Sequence, residues 1–176
     1  ITTANRDSIR GNAGNDVLIG GGNGDDLTGG EGNDVQDGGS NGNSGNSWQD
    51  QDVARFSGDL SRYTRYNVSV TGTKTSGMIL VNGNPTATIT NSSISFASNV
   101  PDDFVSVLTL AYNNLDLFDG NHSSGLLIKD KLDSDFGGDG TDVLFNIESV
   151  QFRDQAVDFS VSAQANDWNN DGKIDW

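Results

Sequence analysis

The sequence predicts an all-β chain: a short two-sided coil of parallel strands, followed by an antiparallel sheet or sandwich. Three observations predict it. Residues 2 to 46 read in blocks of nine (TTANRDSIR, GNAGNDVLI, GGGNGDDLT, GGEGNDVQD, GGSNGNSGN), with aspartate at the sixth place of the first four. From Asp52 onward short runs of alternating apolar and polar residues are separated by Gly, Asn and Pro turns. The acid is also unusual in kind. Of 25 acidic residues only Glu31 and Glu148 are glutamate, which suits tight turns and oxygen-ligand loops better than an ordinary solvated surface.

The coil follows from the repeat. Its sixth places are Asp7, Asp16, Asp25 and Asp34, and its eighth places are Ile9, Leu18, Leu27 and Gln36. Gly20, Gly21, Gly22, Gly29 and Gly30 let the backbone turn through positive φ. A closing triplet such as Val17-Leu18-Ile19 forms one short strand with its middle side chain inward. Two blocks then complete a turn of the coil, so Asp7 stacks on Asp25 and Asp16 on Asp34. Carboxylates that close repel, and neither ionises easily. A hard divalent cation between them removes the conflict, and turn carbonyls at the fourth places, Gly14, Asn23 and Gly32, help complete about six to eight oxygens around calcium.

Charge and composition narrow the function. The 176 residues carry a formal charge of −15, which argues against nucleic acid and anionic membrane surfaces as partners. Such a chain repels itself until cations bind, so metal is expected to drive folding. There is no cysteine, which excludes disulfides, thiolate metal sites and cysteine nucleophiles. No apolar run approaches a membrane span and no signal peptide opens the sequence. Neither point argues for the cytoplasm.

After the repeats, Val53–Phe56 reads as a strand and Ser57-Gly58-Asp59 as a turn. Residues 62–71 alternate, with Tyr66, Val68 and Val70 on one face. Strands are expected over 78–81, 86–90 and 94–96, with Asn82-Gly83 as a hairpin turn. Pro101–Leu115 fits a helix through Phe104, Val107, Leu108 and Ala111, and fits a strand as well; the reading favoured is a short helix running into a strand. Strands at 126–128, 143–147, 149–152 and 157–161 close this part.

Other constellations are weaker. Asp167, Asn169, Asp171, Lys173 (through its carbonyl) and Asp175 match the first nine places of an EF-hand calcium loop, with Gly172 at the sharp turn, but the twelfth-place acid falls past Trp176. Asp133, Asp135, Asp139 and Asp142 lie in a Gly-rich stretch read as a solvated turn rather than a further cation site. The single histidine, His122, sits in a polar loop without a nucleophile elbow, and no His-Glu-x-x-His is present, so zinc hydrolysis and a serine triad find no support. Trp48, Trp168, Trp176, Tyr63, Tyr66 and Tyr112 could form a sugar-stacking face, though such aromatics are more often core.

Asp16 to Asp34 with their glycines resemble the RTX (repeats-in-toxin) calcium-binding nonapeptide array of secreted bacterial proteins, over about 45 residues. Block one lacks its glycines, block three carries Asn23 at position four, block four has Gln36 where an apolar residue stacks inward, and block five has Asn43 and Gly45 for the Asp and the apolar residue. Blocks one and five read as frayed ends. Asp52–Gly58 with Tyr63, and Asp139–Glu148 with Gln151-Phe152, are similar to segments flanking such arrays in serralysin-type proteases and RTX surface proteins. The resemblance implies a parallel β-roll over residues 1–47; the alternating strands place an antiparallel β domain over 48–163, and the EF-hand-like motif, which also resembles dockerin loops, an acidic calcium loop over 164–176. The RTX resemblance also implies a non-catalytic calcium-binding module, secreted or on the cell surface, that folds on calcium outside the cell as a cap, anchor or assembly element. Type I secretion is the route it implies. An extracellular polysaccharide, another surface protein or further copies of the chain are the conceivable partners. The competing readings are a calcium-dependent carbohydrate- or peptide-binding adhesin module, and the C-terminal part of a secreted hydrolase.

Overall fold

Each of the first four blocks makes one strand. In the computed structural model these are β1 (Ser8–Ala13), β2 (Val17–Gly22), β3 (Asp26–Glu31) and β4 (Val35–Ser40); the structure describes residues 5–40, 51–132 and 137–158. β1 pairs in parallel with β3 and β2 with β4. Successive blocks therefore alternate between two sheets, and residues eighteen apart in sequence stack, Ile9 on Leu27 and Val17 on Val35. The eighth-place side chains point inward: Leu18 and Leu27 are buried, and so is Gln36.

Left-handed backbone recurs at two fixed places, one at the penultimate residue of each strand and one in the corner that follows. Position two holds Asn12, Gly21, Gly30 and Gly39, and position four holds Gly14, Asn23 and Gly32, all with positive φ. Asparagine tolerates this region better than other residues with a Cβ, which is why Asn12 and Asn23 can stand where glycine is usual.

Neither sheet stops at the repeats. β5 (Val53–Arg55) adds in parallel to β3, β12 (Ser149–Gln151) adds in parallel to β5, and β13 (Ala156–Asp158) closes that sheet antiparallel. In the other sheet β11 (Thr141–Phe145) lies parallel to β4. From β11 the sheet continues antiparallel through β10 (Ser124–Asp130), β6 (Tyr63–Gly72), β7 (Ser76–Val81), β8 (Asn84–Thr90) and β9 (Ser93–Phe96). The result is a five-stranded and an eight-stranded sheet, an all-β fold carrying one helix among the described residues.

The alternation read over residues 62–71 holds in β6, where Val68 and Val70 are buried and Asn67, Thr71 and Gly72 are exposed. Asn82 and Gly83 both have positive φ, as a tight hairpin needs. Over 101–115 the helical spacing prevails completely. α1 (Asp102–Asn114) buries Phe104, Val107, Leu108 and Ala111, starts with Asp102 and Asp103 in its first turn, and leads into a loop rather than the expected strand. The physical reason is the sheet face it covers: Val35, Val143 and Phe145 from the coil and Val68, Ile79 and Ile89 from the antiparallel part join it in one core. A second core, Ala54, Phe56, Tyr63, Ile128, Leu144, Val150, Phe152 and Val157, lies on strands of both sheets. Phe56, Tyr63 and Phe152 touch ring to ring, with centroids 5.1–5.6 Å apart, and Tyr66 packs edge-on against Phe104, so these tyrosines serve the core. No helix among the described residues is long and apolar enough to cross a membrane.

Candidate metal centre

Because residues eighteen apart stack, the sixth-place aspartates form two columns. In one, the Asp7 amide donates to Asp25 Oδ1 at 2.7 Å. In the other, the Asp16 amide donates to Asp34 Oδ1 at 2.8 Å. The carboxylate of one turn thus grips the main chain of the turn before it, instead of confronting a second carboxylate as the sequence suggested. Main-chain bonds Asp26 N to Asp7 O and Val35 N to Asp16 O, both 2.9 Å, hold each pair in register.

The second carboxylate oxygens have no such partner. Asp16 Oδ2, Asp25 Oδ2 and Asp34 Oδ2 are buried and make no hydrogen bond. Each leans over the α-carbon of the glycine five residues earlier: Gly11 for Asp16, Gly20 for Asp25, Gly29 for Asp34. A Cβ on Gly11 would lie 2.6 Å from both Asp16 Oδ2 and the Gly29 carbonyl oxygen, and a Cβ on Gly20 would lie 2.7 Å from the Gly38 carbonyl oxygen. Gly11 and Gly20 therefore keep open a space bounded by one carboxylate oxygen and a carbonyl of the neighbouring turn, while the nearest atoms at Gly29 are those of Asp34 alone.

That donor set suits a hard cation bound by oxygen. Among the described residues no three or more His, Cys, Asp or Glu side chains gather into a metal cluster, so a cation here would take most of its oxygens from the backbone. Burial pushes Asp25 above the usual carboxylate range and Asp34 up to about 6, against the amide bonds from Asp7 and Asp16 that favour the charged form; the charges of Asp7 and Asp16 add to the rise. A nearby divalent ion reverses this balance by favouring the charged form.

Of the other predicted ligands, Gly14, Asn23 and Gly32 occupy the left-handed corners at position four, Gly14 directly over Gly32. Asp167, Asn169, Asp171, Lys173 and Asp175 lie outside the described residues, as do Trp48, Trp168 and Trp176. The Gly-rich stretch is not a solvated turn where it is described. Asp139 accepts from Ser57 N and Ser57 Oγ, both at 2.7 Å, and from Tyr63 Oη, and it is 6% exposed, while Asp142 is 1% exposed. The fold draws both inside because β11 must enter the sheet beside β4. His122 is likewise buried, its Nε2 3.0 Å from Asp37 Oδ2 and its Nδ1 3.0 Å from Asp119 Oδ1. With both nitrogens on carboxylates, neither serves a serine nucleophile.

Sequence reasoning missed that the columns go on. The Asp25 amide donates to Asp52 Oδ1 at 2.7 Å, the Asp52 amide to Glu148 Oε2 at 2.7 Å, and the Asp34 amide to Asp142 Oδ1 at 2.9 Å. One signal was available. The pair Asp-Val followed by an inward residue occurs at Asp16, Asp34, Asp52 and Asp142; the first three immediately precede a strand and Asp142 is the second residue of β11.

No curated protein and no solved structure matches the chain. A family model does match its beginning: residues 1–36 are four copies of the RTX calcium-binding nonapeptide repeat, a repeat that binds calcium ions.

Proposed function

We propose that the chain is a non-catalytic calcium-binding module of a secreted or cell-surface protein, which folds on meeting calcium outside the cell and serves as a cap, anchor or assembly element. The observation that carries this reading is the set of buried, partnerless Oδ2 atoms of Asp16, Asp25 and Asp34, each beside a first-place glycine. A buried carboxylate oxygen without donor or cation is among the most unfavourable placements in a protein. Several in one short coil are best accounted for by a shared ligand class. Asp7, Asp16, Asp25 and Asp34 would supply side-chain oxygens, and the carbonyls of Gly14, Asn23, Gly32, Gly29 and Gly38 are the backbone candidates.

The charge of −15 supports the coupling of metal to folding, since calcium neutralises the repulsion that keeps the chain expanded. Extracellular calcium modules work at about millimolar affinity, which leaves the chain unfolded where calcium is scarce. Far-UV circular dichroism and titration calorimetry of the whole chain, in calcium, magnesium and chelator, test the reading. A disordered spectrum in chelator, a β spectrum in calcium and more than one bound ion are expected. A melting curve indifferent to chelator would refute it.

A further inference from the structure

We propose that the calcium ladder runs past the repeats, and that Asp52, together with the carbonyl of Asn146, completes a further calcium site on a coil turn assembled from distant parts of the chain. The inference rests on the calcium reading of the repeats and extends it to residues that the repeat match, which ends at residue 36, does not include.

The argument is one of equivalence. Asp16 leans over Gly11 with Gly29 O opposite, and Asp25 leans over Gly20 with Gly38 O opposite. Asp52 leans over Gly38 with Asn146 O opposite: a Cβ built on Gly38 would strike both atoms. Asp52 is 0% exposed, its Oδ1 accepts from the Asp25 amide, and its Oδ2 has no partner, as in Asp16, Asp25 and Asp34. The surrounding registers match too. Gly38 follows Asp37, which pairs with Phe145, so Asn146 stands where a first-place residue of the next turn would stand. Asn146 has a φ of 53°, a left-handed turn that sends the chain from one sheet to the other within three residues and delivers Glu148 beneath Asp52.

Asp142 provides the contrast. It occupies the corresponding place in the other column, but both its oxygens are used, Oδ1 by the Asp34 amide at 2.9 Å and Oδ2 by Gln36 Nε2 at 3.1 Å. Gln36, the residue that breaks the repeat at position eight, supplies from inside the coil the donor that would otherwise be missing. One column therefore stops binding metal at its third turn and the other does not.

The test is calcium stoichiometry of the whole chain by native mass spectrometry and calorimetry, for the wild type, Asp52→Asn and Asp142→Asn. Asp52→Asn should lose one bound ion and Asp142→Asn none. An Asp52→Asn chain that folds and keeps every ion overturns the inference. If Asp52→Asn does not fold in calcium, anomalous diffraction from terbium-loaded wild-type crystals decides. A peak beside Asp52 Oδ2 and Asn146 O supports the site, and no peak there overturns it. A wild type that binds no calcium overturns the inference by removing the calcium reading itself, an outcome distinct from loss at Asp52 alone.

Discussion

Gly20→Ala isolates the geometry of the coil from its backbone preferences. Gly20 lacks positive φ, so alanine brings no conformational strain there. What it brings is a methyl group 2.7 Å from the Gly38 carbonyl oxygen and closer still to Asp25 Oδ2. The carbonyl belongs to a strand locked in register by β2–β4 pairing, and the carboxylate is fully buried and tied to the Asp7 amide at 2.7 Å. Neither can yield without breaking something. Overpacking a rigid site costs about 1–3 kcal/mol, and losing a hydrogen bond to a charged group adds roughly 1.5–3 kcal/mol. A loss of about 2.5–6 kcal/mol follows, with weakened calcium binding because the same methyl fills the space beside Oδ2. Gly83→Ala is the comparison: its Cβ meets nothing, and its φ of +76° costs about 1–2 kcal/mol with no effect on calcium. Urea unfolding in calcium and calcium titration by calorimetry measure both. If Gly20→Ala is no worse than Gly83→Ala, or binds calcium as wild type does, the reasoning about the cradle is wrong.

Leu27→Ala, at a side chain with no exposed area, should cost about 2–5 kcal/mol in urea unfolding and shift the calcium midpoint upward because folding and binding are linked. Gln36→Leu restores the apolar pattern and removes the partnerless Gln36 Oε1, but strips the donor from buried Asp142 Oδ2. A net loss of about 1–3 kcal/mol is expected, and adding Asp142→Asn should recover part of it in a double-mutant cycle. For His122, burial alone would lower the pKa, but hydrogen bonds and charge from Asp37 and Asp119 outweigh it and hold the imidazole above its ordinary 6.5. That stabilisation is complete below about pH 6.5 and disappears as the pH rises through the raised folded-state value. A His122→Gln chain should lose this component of the stability-versus-pH curve, read from unfolding midpoints at fixed calcium.

The first two turns of the coil were legible because their information is local. A period of nine with one aspartate and one inward residue fixes strand, corner and stacking together, and Asn12 and Asn23 departed from glycine only where asparagine shares its backbone freedom. The third turn was hidden because its period is broken. Asp52 stacks on Asp25 from 27 residues away, not eighteen, block five between them carries Asn43 and Gly45, and no glycine pair announces Asp52. Asp142 and Glu148 come from the far side of the antiparallel strands, where only the Asp142-Val143 pair echoes the repeats. The helix over 102–114 was ambiguous for the opposite reason. Its apolar residues fit two periods, and only the broad face of β2, β4 and β11 selects the helical one. Gln36 looked like decay of the motif and is instead a partner for a carboxylate 106 residues away.

That the last turn of the coil is clasped from both ends of the sequence has a consequence for how the molecule comes into being. Asp34 and Asp142 are 108 residues apart, and closing so long a loop adds only about 0.6 kcal/mol per doubling of its length. Time is the greater burden, because distant pairings form late. Until Thr141–Phe145 arrives, β4 presents an open parallel edge of the kind that recruits a neighbouring chain. Molecules crowded together while they fold would therefore be most at risk of mispairing during that interval, and the returning segment is what protects them from one another.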